Sequence, residues 1–139
     1  MKTFLQAGLL LVFAVFPAAL AVIRHPDLAD RLKAGLDEGE VRLAEVRGWQ
    51  RNVLWIDARP SAAFGTAHIP GAVPLDEGRF EQDFGRVLAE WTPDRPVVVY
   101  CDSTACSASR DLARRLREAG LPEVYSLHGG WAQWQTDRP

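Results

Sequence analysis

The chain has 139 residues, of which 47% are hydrophobic and 24% are charged, and its formal net charge is -2. This size and composition are typical of one globular domain with a short extension. Proteins that bind nucleic acid usually present a basic surface to the phosphate backbone, which the near-neutral charge balance of this chain does not provide. The composition therefore argues against nucleic acid as a partner.

The amino terminus has the pattern of an export signal or a membrane anchor. After Lys2 no charged residue occurs until Arg24, and most of the residues between them are apolar. A helix of a globular domain needs a polar face, which this stretch lacks. It ends near Ala19-Leu20-Ala21, a small-x-small cleavage pattern. We predict a signal peptide over residues 1–21, or an uncleaved membrane anchor reaching about residue 23, and an extracytoplasmic location, periplasmic or secreted.

Residues 22–40 are predicted to form a short helical lead-in and residues 41–139 the main domain. Apolar runs and turn residues predict these elements in chain order: a short strand at 41–43, a helical turn at 44–49, a strand at 53–56, a helical turn at 61–64, a turn at 68–72, a brief strand at 73–75, a helix at 80–91, a strand at 97–101, a helix at 107–119, a strand at 124–127 and a short helix holding Trp131 and Trp134. Because strands alternate with helices, we predict an α/β fold with a mainly parallel central sheet and helices on both faces.

Cys101 is the most informative residue for function, because it ends a β-branched run and begins a short polar loop. It lies where a predicted buried strand ends and a predicted helix is about to begin. Ligands of open α/β sheets bind at this edge, and the free N–H groups of a helix start favour an anion there. The sequence therefore predicts Cys101 as a nucleophile followed by an anion-binding loop. The loop consists of Asp102, Ser103, Thr104, Ala105, Cys106 and Ser107. Ser107 is also the candidate N-cap of the helix.

Cys101 and Cys106 are the two cysteines of the chain. Two cysteines are too few for the disulfide framework of a small secreted domain, and they lack the partner cysteines of a tetrahedral zinc site. We therefore expect no metal site, and we expect both cysteines to take part in chemistry.

Three segments resemble one family in order and spacing. They are Ile56-Asp57-Ala58-Arg59 with Ala67-His68-Ile69-Pro70-Gly71-Ala72, then Val98-Val99-Tyr100-Cys101, then Leu127-His128-Gly129-Gly130 with Trp131 and Trp134. This ordered set is similar to a single-domain rhodanese, the sulfurtransferase family, over about residues 40 to 135. The resemblance implies a three-layer rhodanese-like fold without a cofactor. It also implies that Cys101 takes a sulfane sulfur from a small donor such as thiosulfate, a persulfide or a polysulfide, becomes a persulfide, and passes the sulfur to a thiol or another nucleophile.

The loop departs from the family pattern at two positions. The common rhodanese loop carries a glycine three positions after the cysteine and an arginine five positions after it, where this chain has Thr104 and Cys106. The planar arginine fork is the usual device for gripping an oxyanion, so its loss predicts weaker thiosulfate binding. Arg110 is a candidate substitute, and the alternative is that it shares a solvated helix face with Arg114 and Arg117.

Three functions stay open for this loop. Cys101 could act as a persulfide carrier, or Cys101 and Cys106 could cycle between dithiol and disulfide with Cys106 as the resolving cysteine and a redox protein as partner. The third reading is an inactive rhodanese-like binding module, with Cys106 as a static disulfide partner or a small packed side chain. Four intervening residues in a flexible loop allow the two sulfurs to meet.

Four other polar residues could support the site. Asp57 and Arg59 end a strand and are expected to form a buried ion pair or a hydrogen-bonded anchor, with a catalytic role as the alternative. His68 is expected to hold its turn, with proton transfer as the alternative. His128 follows the strand predicted to flank the Cys101 strand, so it could face the loop. The five tryptophans are interpreted as packing residues.

Overall fold

The structure is a computed structural model that describes residues 35–137. The predicted signal segment and most of the helical lead-in lie outside the described residues, so these assignments and the boundary at residue 41 stay predictions. Within the described part of the chain, no helix is long and apolar enough to span a membrane.

The elements alternate as the sequence predicts, with small shifts at their ends. The strands are β1 (Glu40–Val41), β2 (Leu54–Asp57), β3 (Val73–Pro74), β4 (Val97–Tyr100) and β5 (Val124–Leu127). The helices are α1 (Leu43–Gly48), α2 (Ser61–Thr66), α3 (Phe80–Glu90), α4 (Ala108–Glu118) and α5 (Gly130–Thr136). The first strand ends earlier than predicted, because Leu43 already begins α1. A 3-10 turn at Glu77–Arg79, which the sequence analysis did not predict, precedes α3.

The five strands form one parallel sheet in the order β1-β5-β4-β2-β3. Strand β4 is central, with β2 and β5 as its hydrogen-bonded neighbours. In a parallel sheet all carboxyl ends lie at the same edge, and loops at this edge are the usual binding region. The residue that follows β4, Cys101, therefore lies at the middle of that edge.

Helices cover both faces of the sheet, as the alternation of side chains along β4 illustrates. Val97 and Val99 pack with α3 and α4 in one hydrophobic cluster, whereas Val98 and Tyr100 pack with α1 and α5 in the other. All four residues of β4 are fully buried. A strand buried on both faces reads as a continuous apolar run, which explains why the sequence pattern located it. The predicted three-layer α/β fold is confirmed.

Helix α4 follows the polar segment that comes after Cys101. It begins at Ala108, after Ser107, whose side chain makes no capping hydrogen bond. Ser107 therefore occupies the predicted N-cap position without the predicted cap. Leu112 and Leu116 of α4 are fully buried against the sheet, which fixes the helix where the loop ends.

Candidate functional site

Cys101 lies at the carboxyl end of the central strand and is 4% exposed. The polar segment that follows it runs to α4 and contains the six residues predicted as an anion-binding loop; residues 101–107 are called the cysteine loop below. Within this loop Asp102 is exposed and Cys106 is half-buried. Cys101 is thus more deeply buried than Cys106.

The two cysteines are joined by a disulfide bond, with their Cα atoms 6.3 Å apart. The backbone N–H of Cys106 donates a hydrogen bond to the carbonyl of Ser103 (3.2 Å), which turns the loop back toward Cys101. The sequence analysis left this pairing open, and the structure brings the two sulfurs together. A disulfide sulfur is not a thiolate, so the nucleophile predicted at Cys101 exists only after reduction of this bond.

Helix α5 holds the backbone of Cys101 in place. The N–H of Trp131 donates to the carbonyl of Cys101 (2.7 Å), and the N–H of Ala132 donates to the carbonyl of Asp102 (3.0 Å). These N–H groups belong to the first turn of α5, where a helix has no internal acceptor for them. Gly130 has φ +53°, and a Cβ at this position would overlap the carbonyl of Cys101. A glycine is therefore needed for α5 to approach the loop so closely.

A buried network of Asp57, Arg59 and Tyr100 lies beside the start of the cysteine loop; it is called the Asp57 network. Arg59 Nη2 donates to Asp57 Oδ2 (2.7 Å), and Arg59 Nε donates to Asp57 Oδ1 (2.9 Å). The Tyr100 hydroxyl donates to Asp57 Oδ2 (2.6 Å) and accepts from the N–H of Ile69 (3.1 Å). Arg59 Nη2 also donates to the carbonyl of Ala67 (2.7 Å). This is the buried ion pair that the sequence analysis favoured for Asp57 and Arg59.

Hydrogen bonding and burial change the pKa values of two groups in the Asp57 network, Arg59 and Tyr100. The hydrogen bonds that Arg59 donates to the Asp57 carboxylate raise the pKa of Arg59, which stays a cation although it is 4% exposed. Burial, assisted by the hydrogen bond to Asp57, raises the pKa of the Tyr100 hydroxyl, which therefore stays protonated. Asp57 is fully buried, and its carboxylate is compensated by these two donors.

Arg59 connects this network to the cysteine loop. Its guanidinium carbon lies 4.6 Å from the ring centroid of Trp131 and 5.4 Å from that of Tyr100. Its Nη1 lies 3.8 Å from Oδ1 of Asp102, whose side chain is 65% exposed. A buried cation thus reaches the residue directly after Cys101, and it positions the loop rather than facing solvent.

This fold agrees with comparisons to known proteins. The model of the rhodanese-like domain family matches residues 28–137, most of the chain. The chain belongs to the rhodanese-like domain family. It is 28% identical over 102 residues to the thiosulfate sulfurtransferase GlpE of Coxiella burnetii, covering 70% of this chain and 90% of that protein.

This rhodanese-like domain is also similar to part of a longer protein and to a protein of known structure. It is 32% identical over 125 residues to the HTH-type transcriptional regulator Rv0324 of Mycobacterium tuberculosis, covering 85% of this chain but 53% of the regulator. The chain therefore spans about half the length of that relative. The BH2092 protein of Bacillus halodurans has a TM-score of 0.62 at 22% identity, covering 81% of this chain and 82% of that one, and supports the fold alone.

A second polar cluster of the rhodanese-like domain joins three elements. Glu40 of β1 is 5% exposed. Its Oε1 lies 3.5 Å from Nη1 of Arg110, in the first turn of α4, and its Oε2 lies 3.5 Å from Nδ1 of His128, which follows β5. Arg110 is thus directed to a buried carboxylate, not only to a solvated helix face. Arg117 likewise donates to the carbonyl of Val124 (2.6 Å), whereas the side chain of Arg114 is 63% exposed.

His68 lies in the turn after α2 and contacts Phe64. Its Nδ1 is 2.9 Å from the carbonyl oxygen of Phe64, and its ring stacks on the Phe64 ring at 3.9 Å between centroids. These contacts hold the turn after α2, which is the structural role expected for it.

The tryptophans serve packing, as the sequence analysis expected. The rings of Trp55 and Trp134 meet edge to face at 5.5 Å, and Trp49 lies 5.2 Å from Tyr125. Trp49, Trp55 and Trp134 also line a groove of about 430 Å³ to which no residue of the cysteine loop contributes. In the described range 35–137, no group of three or more His, Cys, Asp or Glu side chains is arranged to hold a metal ion.

Two site residues escaped the sequence analysis. Glu40 falls at the end of the predicted helical lead-in, and its partners Arg110 and His128 are far away in sequence. Tyr100 was assigned only to the apolar strand, although its hydroxyl bonds to Asp57, 43 residues earlier. A tyrosine in an otherwise aliphatic buried run is a signal for such a partner, because a buried hydroxyl needs one.

Proposed function

We propose that this protein is a sulfurtransferase that carries sulfane sulfur as a persulfide on Cys101. The observation that carries the proposal is the position of Cys101 at the end of the central strand, with its carbonyl held by the N–H of Trp131. Membership of the rhodanese-like domain family and the similarity to proteins named thiosulfate sulfurtransferase support the same reaction class.

The reaction needs the reduced form of the protein. The Cys101 thiolate attacks the sulfane sulfur of the donor, a new S–S bond forms, and the rest of the donor leaves with the electron pair of the broken bond. With thiosulfate as donor the leaving group is sulfite. A thiolate acceptor then attacks the outer sulfur of the persulfide and regenerates the Cys101 thiolate. No cofactor is required for either step.

The cysteine loop disfavours thiosulfate as a sulfur donor. The family arginine that would grip a dianion is replaced by Cys106. The Asp102 carboxylate, 65% exposed, adds a negative charge next to Cys101. Both features weaken thiosulfate binding, since like charges repel and the bidentate cation is absent from the loop. We infer that persulfides or polysulfides are better donors and that a thiol is the acceptor.

We propose that the protein is located outside the cytoplasm and that residues 1–21, predicted as a signal peptide, direct its export. A disulfide such as Cys101–Cys106 persists most readily in an oxidising compartment, which agrees with export. Contact with a membrane is proposed only through this segment, if it is retained. Detection of an unprocessed chain in the cytosol would contradict this placement.

Steady-state transfer by the variant Cys106→Ser, which retains Cys101 and cannot form the disulfide, tests the proposed activity. With cyanide as acceptor, we expect kcat/KM to be higher for polysulfide than for thiosulfate. The variant Cys106→Arg restores the family arginine and is expected to lower the KM for thiosulfate about tenfold, as one charge-assisted bidentate contact provides. Thiocyanate formation is the readout. A folded Cys106→Ser protein that transfers sulfur from neither donor would instead indicate a binding module.

A further inference from the structure

Cys106 occupies a position from which its sulfur can attack the Sγ atom of Cys101. The two Sγ atoms are bonded directly to each other. The bond coexists with the hydrogen bond from Trp131 to the Cys101 carbonyl, so forming it does not require α5 to release the loop. The Cys101 Sγ is therefore reachable by Cys106 within the folded domain.

We propose that Cys106 is a resolving cysteine that releases the sulfur held on Cys101 as sulfide, which makes the protein a reductase of sulfane sulfur. This inference rests on the proposed persulfide at Cys101. It adds an internal reductant and a different product, because the sulfur leaves as hydrosulfide instead of passing to an external nucleophile.

The resolving step balances without an external oxidant. The Cys106 thiolate attacks the inner sulfur of the Cys101 persulfide, the Cys106–Cys101 S–S bond forms, and the bond to the outer sulfur breaks. The outer sulfur leaves with the electron pair as hydrosulfide. The two protein thiols are oxidised to the disulfide seen in the structure, and the sulfane sulfur is reduced to sulfide.

A dithiol reductant would close the cycle by attacking Cys106. Cys101 is 4% exposed, whereas Cys106 is half-buried, so an incoming thiolate has better access to the Cys106 sulfur. The electron pair of the broken bond then stays on Cys101, which leaves as the thiolate needed for the next donor. The second thiol of the reductant displaces Cys106 and is oxidised in its place. A small dithiol or a protein dithiol fits this role.

This cycle explains why Cys106 stands where the family pattern has an arginine. The position that would grip an anionic donor holds a thiol instead. The loop thereby holds a second reactive sulfur in place of an anion-binding side chain, which suits the reduction of persulfide and polysulfide donors.

A single-turnover experiment tests the resolving role. Fully reduced protein is freed of thiols and mixed with one equivalent of inorganic polysulfide, and in parallel with thiosulfate. The wild type is expected to release close to one equivalent of sulfide for each equivalent of donor consumed, and both cysteines are expected to become resistant to alkylation. The variant Cys106→Ser is expected to retain the added sulfur on Cys101 and to release sulfide only after a thiol is added.

One variant serves as a control, and two results would contradict the proposals in different ways. Arg114→Ala, on the exposed side of α4, is expected to release sulfide as the wild type does. A wild-type protein that keeps the sulfur on Cys101 with Cys106 open to alkylation would overturn the resolving role and leave the proposed sulfurtransferase intact. If both wild type and Cys106→Ser fail to take up sulfur, the proposed function itself fails, and this inference with it.

Discussion

The Asp57 network and the cysteine loop lie side by side at the carboxyl edge of the sheet, yet they differ in almost every physical respect. The network is buried, and its carboxylate, guanidinium and hydroxyl bond to one another. The loop is short, polar and largely exposed apart from Cys101. The difference indicates a division of roles, in which the network fixes the backbone before Cys101 and the loop after it is left to change its covalent state.

The largest effect is expected at the loop. Cys101→Ser removes the nucleophile, and we predict that sulfur transfer falls to the background rate, because a serine hydroxyl cannot form a persulfide. Thiocyanate formation measures the loss, and the unfolding curve should match that of the reduced wild type. Retained turnover in this variant would assign the chemistry to another residue.

The next largest effect is a loss of stability when the Asp57 network is broken, compared with the loss of an exposed ion pair. Asp57→Asn leaves Arg59 buried without its counter-charge, and we predict a loss of about 3 kcal/mol in the free energy of unfolding. The matched control is Arg51→Ala, which breaks an exposed pair with Glu123 and should change the free energy of unfolding far less than Asp57→Asn does. Denaturant titration measures both changes. Equal losses would contradict the anchoring role of the network.

Gly130→Ala tests whether α5 couples the two regions. The added Cβ meets the Cys101 carbonyl at a backbone conformation with φ +53°. We predict a loss of about 2 kcal/mol in unfolding free energy and slower sulfur transfer, because the Cys101 backbone must shift. Gly85→Ala, in α3, meets no atom within 4 Å and serves as the control. If Gly130→Ala transfers sulfur at the wild-type rate, the close contact between α5 and the Cys101 backbone does not affect the reaction.

Reduction of the disulfide should affect stability less than activity. The two cysteines are separated by five positions, so the cross-link closes a small ring and removes little entropy from the unfolded chain. We predict that reduction lowers the unfolding free energy by at most about 2 kcal/mol. Thermal unfolding with and without a dithiol measures this. A protein that unfolds on reduction would make the bond structural and exclude a catalytic loop.

The smallest effect is a pH dependence that belongs to the network. The pKa of Tyr100 is raised above its ordinary value of 10.0, so on raising the pH the unfolded chain loses this proton first. Wild-type unfolding free energy should therefore fall above about pH 10 relative to Tyr100→Phe. At neutral pH the variant should be less stable by about 1 kcal/mol. Parallel pH profiles would contradict the buried hydrogen bond to Asp57.

The sequence was most informative where burial produces a pattern. The run at Val97–Tyr100 and the apolar spacing of α4 located the central strand, the next helix and hence Cys101. Contacts between distant segments left no such pattern. The pairing of Glu40 with Arg110 and the bond of Tyr100 to Asp57 depend on the sheet order, which no local window contains. The covalent state of the two cysteines was equally open, because spacing permits a disulfide without requiring one.

The measurement that tests the central claim most directly is the intact mass of reduced Cys106→Ser protein after exposure to a sulfane donor. This variant cannot release the sulfur internally, so the carrier state accumulates. With polysulfide we predict a gain of one sulfur atom, mapped by peptide analysis to Cys101 and removed by an added thiol. A folded, reduced protein that gains no sulfur from polysulfide or thiosulfate, or that gains it elsewhere, would contradict the account.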